Sequence, residues 1–258
     1  MIRCLTALAL MAALAAPALA AQPFRVGERW DWQLTEPLDL SRKVAVLDLH
    51  PELVKTADIG KLKARGIRTI CYVSVGTVEK TSPDRQAFPK AVVGKVYGDW
   101  PDERFLDIRR HDVLLPIMKA RFQVCKAKGF DAIEPDNMDV HDNDSGFPLK
   151  AADTRRYVLA LAGIAHGLGL AIAQKNVPEM TADFVSTLDF VITESCYQDR
   201  WCDRVKAYPQ RGKPVFDAEY SDRSIDFAAA CKAAGRDRIS MILKDRNLTR
   251  VVKFCPAN

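Results

Sequence analysis

A (β/α)8 barrel is the fold class this sequence predicts, and three observations predict it. About eight short apolar segments alternate with helical ones over a length that suits one such barrel. Several of these segments are near-continuous apolar and β-branched runs, as in Thr69-Ile70-Cys71-Tyr72-Val73-Ser74-Val75-Gly76. Such runs mark strands buried on both faces of a parallel sheet. Most of the segments also turn polar at their C-terminal ends. In a barrel all those ends share one face, the face that carries active sites. A doubly wound open sheet is the alternative that the same alternation allows.

Residues 1–20 read as a secretory leader, with Arg3 as the positive start, Leu5 to Ala16 as the apolar core and Ala18-Leu19-Ala20 as a small-residue cleavage site. The mature chain, 21–258, is then a single barrel domain. Trp30 to Leu34 is the first strand and Val44 to Asp48 the second. A short helix from Ile59 is stopped by Gly66, and the Thr69–Gly76 run is the third strand. Thr77 to Arg110 holds Pro83, Pro89, Gly94, Gly98 and Pro101, and it predicts a long irregular loop bearing Tyr97, Trp100 and Phe105. Asp112 to Lys128 carries Leu114, Ile117, Met118, Phe122 and Cys125 at helical spacing, with Pro116 tolerated in the first turn.

Asp131 to Ile133 is the fourth strand, and Glu134, Asp136 and Asp139 follow it at once. Ala152 to His166 is helical. Leu170 to Asn176 is a strand ending Lys175-Asn176. Helices near Glu179–Ser186 and Arg200–Tyr208 flank a strand from Asp189 to Ser195, which contains Glu194. Pro214 to Tyr220 and Ile239 to Asp245 are the last strands, on either side of a helix from Ile225 to Ala234. The shared rim then gathers Asp48, Ser74, Asp136, Lys175, Asn176, Glu194, Tyr220 and Lys244.

The formal net charge of +5 is scattered over helix faces, and no basic run is interleaved with aromatics. That argues against nucleic acid as a partner. Beyond the leader no stretch is apolar and long enough to span a bilayer, so no membrane association is expected after cleavage, and a monomer is expected. Apart from Cys4 there are six cysteines, an even number that suits disulfides in an exported chain. Cys196 and Cys202 are close enough to clip one loop, and Cys231 with Cys255 would tie the last helix to the C-terminus. Cys71 and Cys125 read as buried thiols.

Carboxylates bunched where a strand leaves an apolar sheet repel one another, and such groups are more often kept for chemistry than for folding. Asp136 and Glu194 end the fourth and sixth strands, close enough around a rim to flank one bond. Two such carboxyls are the minimum for glycoside hydrolysis, one giving a proton and the other attacking or activating water. Asp136, Asp139, Asp142 and Asp144 could instead hold a cation, although they do not match the EF-hand spacing. The four histidines form no His-x-x-x-His pair, Ser74 and Ser195 lack a nucleophile elbow, and no phosphate-cradling loop occurs.

Taken in order, Trp30-Asp31-Trp32-Gln33-Leu34, Cys71-Tyr72-Val73-Ser74-Val75-Gly76, Gly129 to Asn137, Asn143-Asp144-Ser145-Gly146-Phe147, Lys175-Asn176, Glu194-Ser195-Cys196 and Glu219-Tyr220 resemble glycoside hydrolase family 114, the endo-α-1,4-polygalactosaminidases. The resemblance implies a (β/α)8 barrel that hydrolyses α-1,4-linked galactosamine polymers with no metal or other cofactor. It places the catalytic acids on the same pair, Asp136 and Glu194. Tyr72, Ser74, Lys175, Asn176 and Tyr220 would orient the sugar, and Trp32 would pack at the site. Asp48, Glu134, Asp139, Asp142 and Glu219 would meet the cationic amines of unacetylated units. A periplasmic or secreted location follows from the leader. The rivals are a non-catalytic exopolysaccharide-binding barrel and a metal-dependent phosphodiesterase on the same fold.

Overall fold

A computed structural model describes residues 24–98 and 100–256; the expected leader and Cys4 lie outside them. In chain order the elements are β1 (Trp30–Gln33), β2 (Val46–Leu49), α1 (Thr56–Ala64), β3 (Arg68–Ser74), β4 (Thr77–Glu79), β5 (Val93–Tyr97), β6 (Trp100–Leu106) and α2 (His111–Lys128). There follow β7 (Ala132–Asp136), α3 (Ala151–Gly167), β8 (Ala171–Lys175), α4 (Thr181–Phe184), β9 (Phe190–Glu194), α5 (Ala207–Gln210), β10 (Val215–Tyr220), α6 (Phe227–Asp237), β11 (Ser240–Lys244) and β12 (Val252–Phe254). Strands β1, β2, β3, β7, β8, β9, β10 and β11 pair in that order and in parallel, forming a nearly closed barrel.

β12 was not expected. It pairs antiparallel with β11, and the chain before it runs along β1, where Leu34 N donates to the Leu248 carbonyl at 2.9 Å. The C-terminal segment therefore fills the seam between the last strand and the first. Lys244, expected on the rim, is spent in this seam: it is buried, 3.0 Å from Asp31 and 2.7 Å from the Thr249 carbonyl.

The two-residue period of the strands sorts the side chains. Trp30, Val46, Ile70, Ala132, Ala173, Phe190, Ile192, Phe216, Ala218 and Ile242 fill the lumen. Leu47, Cys71, Val73, Ile133 and Ile172 face the helices. Phe24 packs edge-on against Phe190 and Phe216, with ring centres 4.9 and 5.8 Å away.

Three local expectations are corrected. The stretch from Thr77 to Arg110 is not an irregular loop: β4, β6 and β5 form a three-stranded antiparallel sheet, whose short alternating strands are hidden between prolines and glycines. The helices expected near Glu179–Ser186 and Arg200–Tyr208 shrink to 3-10 turns plus the four-residue α4 and α5. Pro178 and Pro209, and the Cys196–Cys202 bridge, leave too little free chain for longer ones. Cys71 and Cys125 are not free thiols but are joined, and Cys231 is joined to Cys255. The first of these bridges stitches β3 to α2. With its ends 54 positions apart in sequence, loop-closure entropy alone makes it worth about 4 kcal/mol.

Among the described residues no helix is long and apolar enough to cross a membrane.

Candidate active site

Where the barrel strands end, a cleft of about 430 Å³ opens, lined by Trp32, Tyr72, Asp136, Lys175, Glu194 and Tyr220 among others. Its hub is Lys175, the last residue of β8, which is 2% exposed. The Lys175 ammonium lies 2.7 Å from Asp136 Oδ1, 2.8 Å from Glu134 Oε1 and 3.2 Å from Glu194 Oε2, with the Trp32 ring centre 4.6 Å away. Burial alone would push its pKa down, but the three carboxylates outweigh that and hold it well above the ordinary lysine value.

Both oxygens of Asp136 are engaged, since the Tyr72 hydroxyl donates to Oδ2 at 2.9 Å. Glu194 accepts from the Tyr220 hydroxyl at Oε1 and from Asn176 Nδ2, at 3.0 Å, at Oε2. Burial pushes the Glu194 carboxyl up, yet Lys175 and these donors leave it below its usual value.

One backbone device recurs around the rim. Each strand that ends in one of these three groups is followed by a residue with positive φ: Asn137 (60°) after Asp136, Asn176 (49°) after Lys175, and Ser195 (56°) after Glu194. Non-glycine residues enter that region rarely, and asparagine most readily. The chain thus leaves each strand abruptly while the functional side chain stays in the lumen. Ser74 supports the first of these turns. Asn137 Nδ2 donates to Ser74 Oγ at 3.0 Å and to Thr77 Oγ1 at 3.1 Å. Gly76 makes room for it, because a Cβ there would sit 1.8 Å from the Asn137 carbonyl oxygen.

The structure brings Trp32, Tyr72, Asp136, Asp139, Lys175, Asn176, Glu194 and Tyr220 to the cleft. It does not bring Ser74, Asp48, Glu134 or Glu219 there. Ser74 is buried beneath the Asn137 turn. Asp48 and Glu134 point into the lumen one layer below the rim and are fully buried. Burial, then the neighbouring Glu134, pushes the Asp48 carboxyl well up. Glu219 is out of phase with the lumen-facing Ala218 and Tyr220, so it points outward. There it accepts from the backbone N–H of Tyr197, at 2.6 Å, and of Gln198, at 3.1 Å, fixing the loop after β9. Asp142 does not line the cleft either, and Asp144 is paired with Lys95 at 2.6 Å. The four-aspartate cation site considered from the sequence is therefore not assembled.

Sequence reasoning missed Glu79, Glu103, His50 and Arg246 in the cleft wall. Arg246 lies two residues past the polar end of β11, so the strand-end pattern could have found it; it stacks 3.6 Å over the Tyr220 ring. Glu79 and Glu103 are direct cross-strand partners on β4 and β6, a pairing that needed the unexpected sheet.

Burial pushes Glu103 up to about 7, and it pushes Glu134 up to about 7 against the pull of Lys175. Between their ordinary value of 4.5 and about 7 the folded chain holds protons that the unfolded chain has lost. The associated stability is thus present below the ordinary carboxylate pKa and is lost as pH rises through about 7. Glu134 alone, fully buried, accounts for about 3 kcal/mol of that loss, and Glu103, screened by solvent, adds less. Thermal unfolding should therefore give a higher Tm at pH 5 than at pH 8; a Tm that is flat or rising over that interval would contradict the assignment.

Two carboxylates converging on one buried ammonium, at the floor of an aromatic-walled cleft on a barrel rim, define a glycoside hydrolase. The comparisons carry this further. The profile of glycoside-hydrolase family GH114 matches residues 11–258, and the chain belongs to that family. Ega3 of Aspergillus fumigatus, solved in complex with galactosamine, is 32% identical over 93% of this chain and 100% of its own, with a TM-score of 0.86. The glycoside hydrolase domain of PelA from Pseudomonas aeruginosa shares the fold at 16% identity, covering 88% of this chain and 99% of that one, with a TM-score of 0.70. No curated protein sequence matches the chain.

Proposed function

We propose that this glycosidase is an exported, endo-acting hydrolase of α-1,4-linked galactosamine polymers and that it retains the anomeric configuration. The observation that carries the reading is the grip of Lys175 on both Asp136 and Glu194. Contacts of 2.7 and 3.2 Å to one nitrogen keep those two oxygens within roughly 6 Å, short of the roughly 6.5–9.5 Å spacing that leaves room for an inverting water. Asp136, held at both oxygens by donors from β3 and β8, attacks the anomeric carbon as the glycosidic C–O bond breaks. Glu194, the more exposed of the two, protonates the leaving oxygen. It then takes a proton from water, and the resulting attack on the same carbon frees Asp136.

Galactosamine as the ligand of Ega3 supports the substrate class, and so does the cleft itself. Tyr97 and Trp100 offer ring faces for sugar stacking. Glu79 and Glu103, which repel each other across β4 and β6, are both raised by burial, and Asp139 is raised by burial and by Asp136. A sugar ammonium bound between the first two would return them to carboxylates. Export is supported by three disulfides, which suit an oxidising compartment.

The test is digestion of α-1,4-galactosamine polymer, fully acetylated or partly deacetylated, followed by mass spectrometry and by NMR of the first anomer released. Oligosaccharides of mixed length with α configuration are expected. The double variant Glu79→Gln/Glu103→Gln should lose about tenfold in kcat/KM, some 1.4 kcal/mol, on deacetylated polymer only. No cleavage of either polymer would overturn the substrate, and initial β product would overturn retention.

A further inference from the structure

Outside the cleft, the loops after β7 and β8 bring together three side chains with metal-ligating chemistry. His141 and Asp142 lie on the 3-10 turn Val140–Asp142, and Glu179 lies on the turn Pro178–Met180. One ligand atom from each lies within 4.8 Å of the other two. His141 Nε2 is 3.5 Å from Asp142 Oδ1 and 3.9 Å from Glu179 Oε1. Neither contact is a good hydrogen bond, although the imidazole is 95% buried, with a side-chain exposure of 5%. The other ring nitrogen is fixed: His141 Nδ1 and Thr154 Oγ1 are 2.8 Å apart. A buried imidazole with one nitrogen held by a hydroxyl and the other aimed between two carboxylates is the arrangement of a metal-bound histidine with its orienting partner.

We propose that His141, Asp142 and Glu179 form a structural zinc site that ties the β7 and β8 loops together. Tetrahedral zinc with bonds of roughly 2.0–2.2 Å separates its ligands by roughly 3.3–3.6 Å. The two histidine–carboxylate distances need only small side-chain rotations to reach that range. One nitrogen and two oxygen ligands suit zinc better than calcium or magnesium, which prefer all-oxygen sets. Water would complete the shell on the exposed side, where Asp142 faces solvent. The site has a task in the fold. The loops it joins begin at Asn137, Asn176 and Val177, all with positive φ, directly after Asp136 and Lys175. Holding the loops together would hold those strained exits. The zinc touches no reacting atom, so the glycosidase reading stands or falls separately.

The experiment loads chelator-stripped full-length protein with ZnCl2 and reads metal content by mass spectrometry, affinity by calorimetry and Tm by scanning fluorimetry. One zinc per chain is expected, with a Tm rise of roughly 5 °C at a hundredfold excess over Kd. His141→Ala and Glu179→Gln should abolish both. Thr154→Val should weaken binding at least about tenfold, and Asp144→Asn, outside the trio, should leave it intact. Glu179 is a surface residue whose substitution leaves the core untouched, so that variant decides the matter even if His141→Ala fails to fold. No saturable binding, or binding that survives Glu179→Gln unchanged, would overturn the site.

Discussion

Asp136→Asn should lower kcat on galactosamine polymer by a thousandfold or more, and Glu194→Gln by about 10²–10⁴-fold, with both variants folded and still binding polymer. The two losses differ in kind. With Asp136 gone there is no nucleophile, whatever the leaving group. With Glu194 gone, a substrate whose leaving group needs no proton, such as a glycosyl fluoride, should still glycosylate Asp136, and the intermediate should then accumulate because no base activates water. Intact-protein mass spectrometry of Glu194→Gln with such a substrate should show one sugar adduct, mapping by peptide digest to Asp136. An adduct absent from Glu194→Gln but formed by Asp136→Asn would exchange the two roles. The pH profile gives an independent check. Because Lys175, Tyr220 and Asn176 hold the free Glu194 carboxyl below its ordinary value, the protonated fraction shrinks as pH rises from acidic values. Wild-type kcat/KM should accordingly be highest on the acid side and fall toward neutrality.

The place of Asp136 and Glu194 on the rim was legible in the sequence because it rests on a repeated pattern, an apolar strand closing on a polar residue. The same pattern put Lys175, Asn176 and Tyr220 on the rim, where they lie. It failed where phase and depth mattered. Glu219, expected to meet the amines of the substrate, sits on β10 one residue out of register with Ala218 and Tyr220, and a shift of one residue turns a side chain to the opposite face. Asp48 and Glu134 are in phase but one layer too deep. The Glu79–Glu103 pair was invisible because β4 and β6 are separated by twenty residues of proline- and glycine-rich chain, and nothing local announces which strands will pair. The Cys71–Cys125 bridge was missed for a related reason: a strand and a helix far apart in sequence meet only once the barrel layers are packed.

Lys175→Met should be the most damaging single change to stability at pH 8. It removes the one cation shared by Glu134, Asp136 and Glu194 and leaves their carboxylates clustered with no counter-charge. Breaking a buried ion cluster by deleting one partner typically costs about 3–5 kcal/mol. A well-packed apolar substitute can offset such a loss, and Met matches the lysine stem in volume, so the sign depends on whether the acids can shed their charge. Glu134 is already pushed up to about 7 in the presence of Lys175, and without the ammonium it should rise further, while Glu194, which Lys175 pulls down, should rise as well. At pH 5 the folded variant would hold protons on them and lose little stability. At pH 8 it would have to ionise them or unfold. Denaturant unfolding of wild type and Lys175→Met at both pH values should therefore show a stability gap that opens with rising pH. An equal gap at both values would mean that Lys175 acts through packing against Trp32 rather than through charge. Lys175→Arg separates charge from placement. The guanidinium is a planar fork rather than a point donor and cannot reproduce three contacts of 2.7–3.2 Å from one nitrogen. It should recover most of the stability at pH 8 while leaving kcat near that of Lys175→Met, because the spacing of Asp136 and Glu194 depends on that single shared nitrogen.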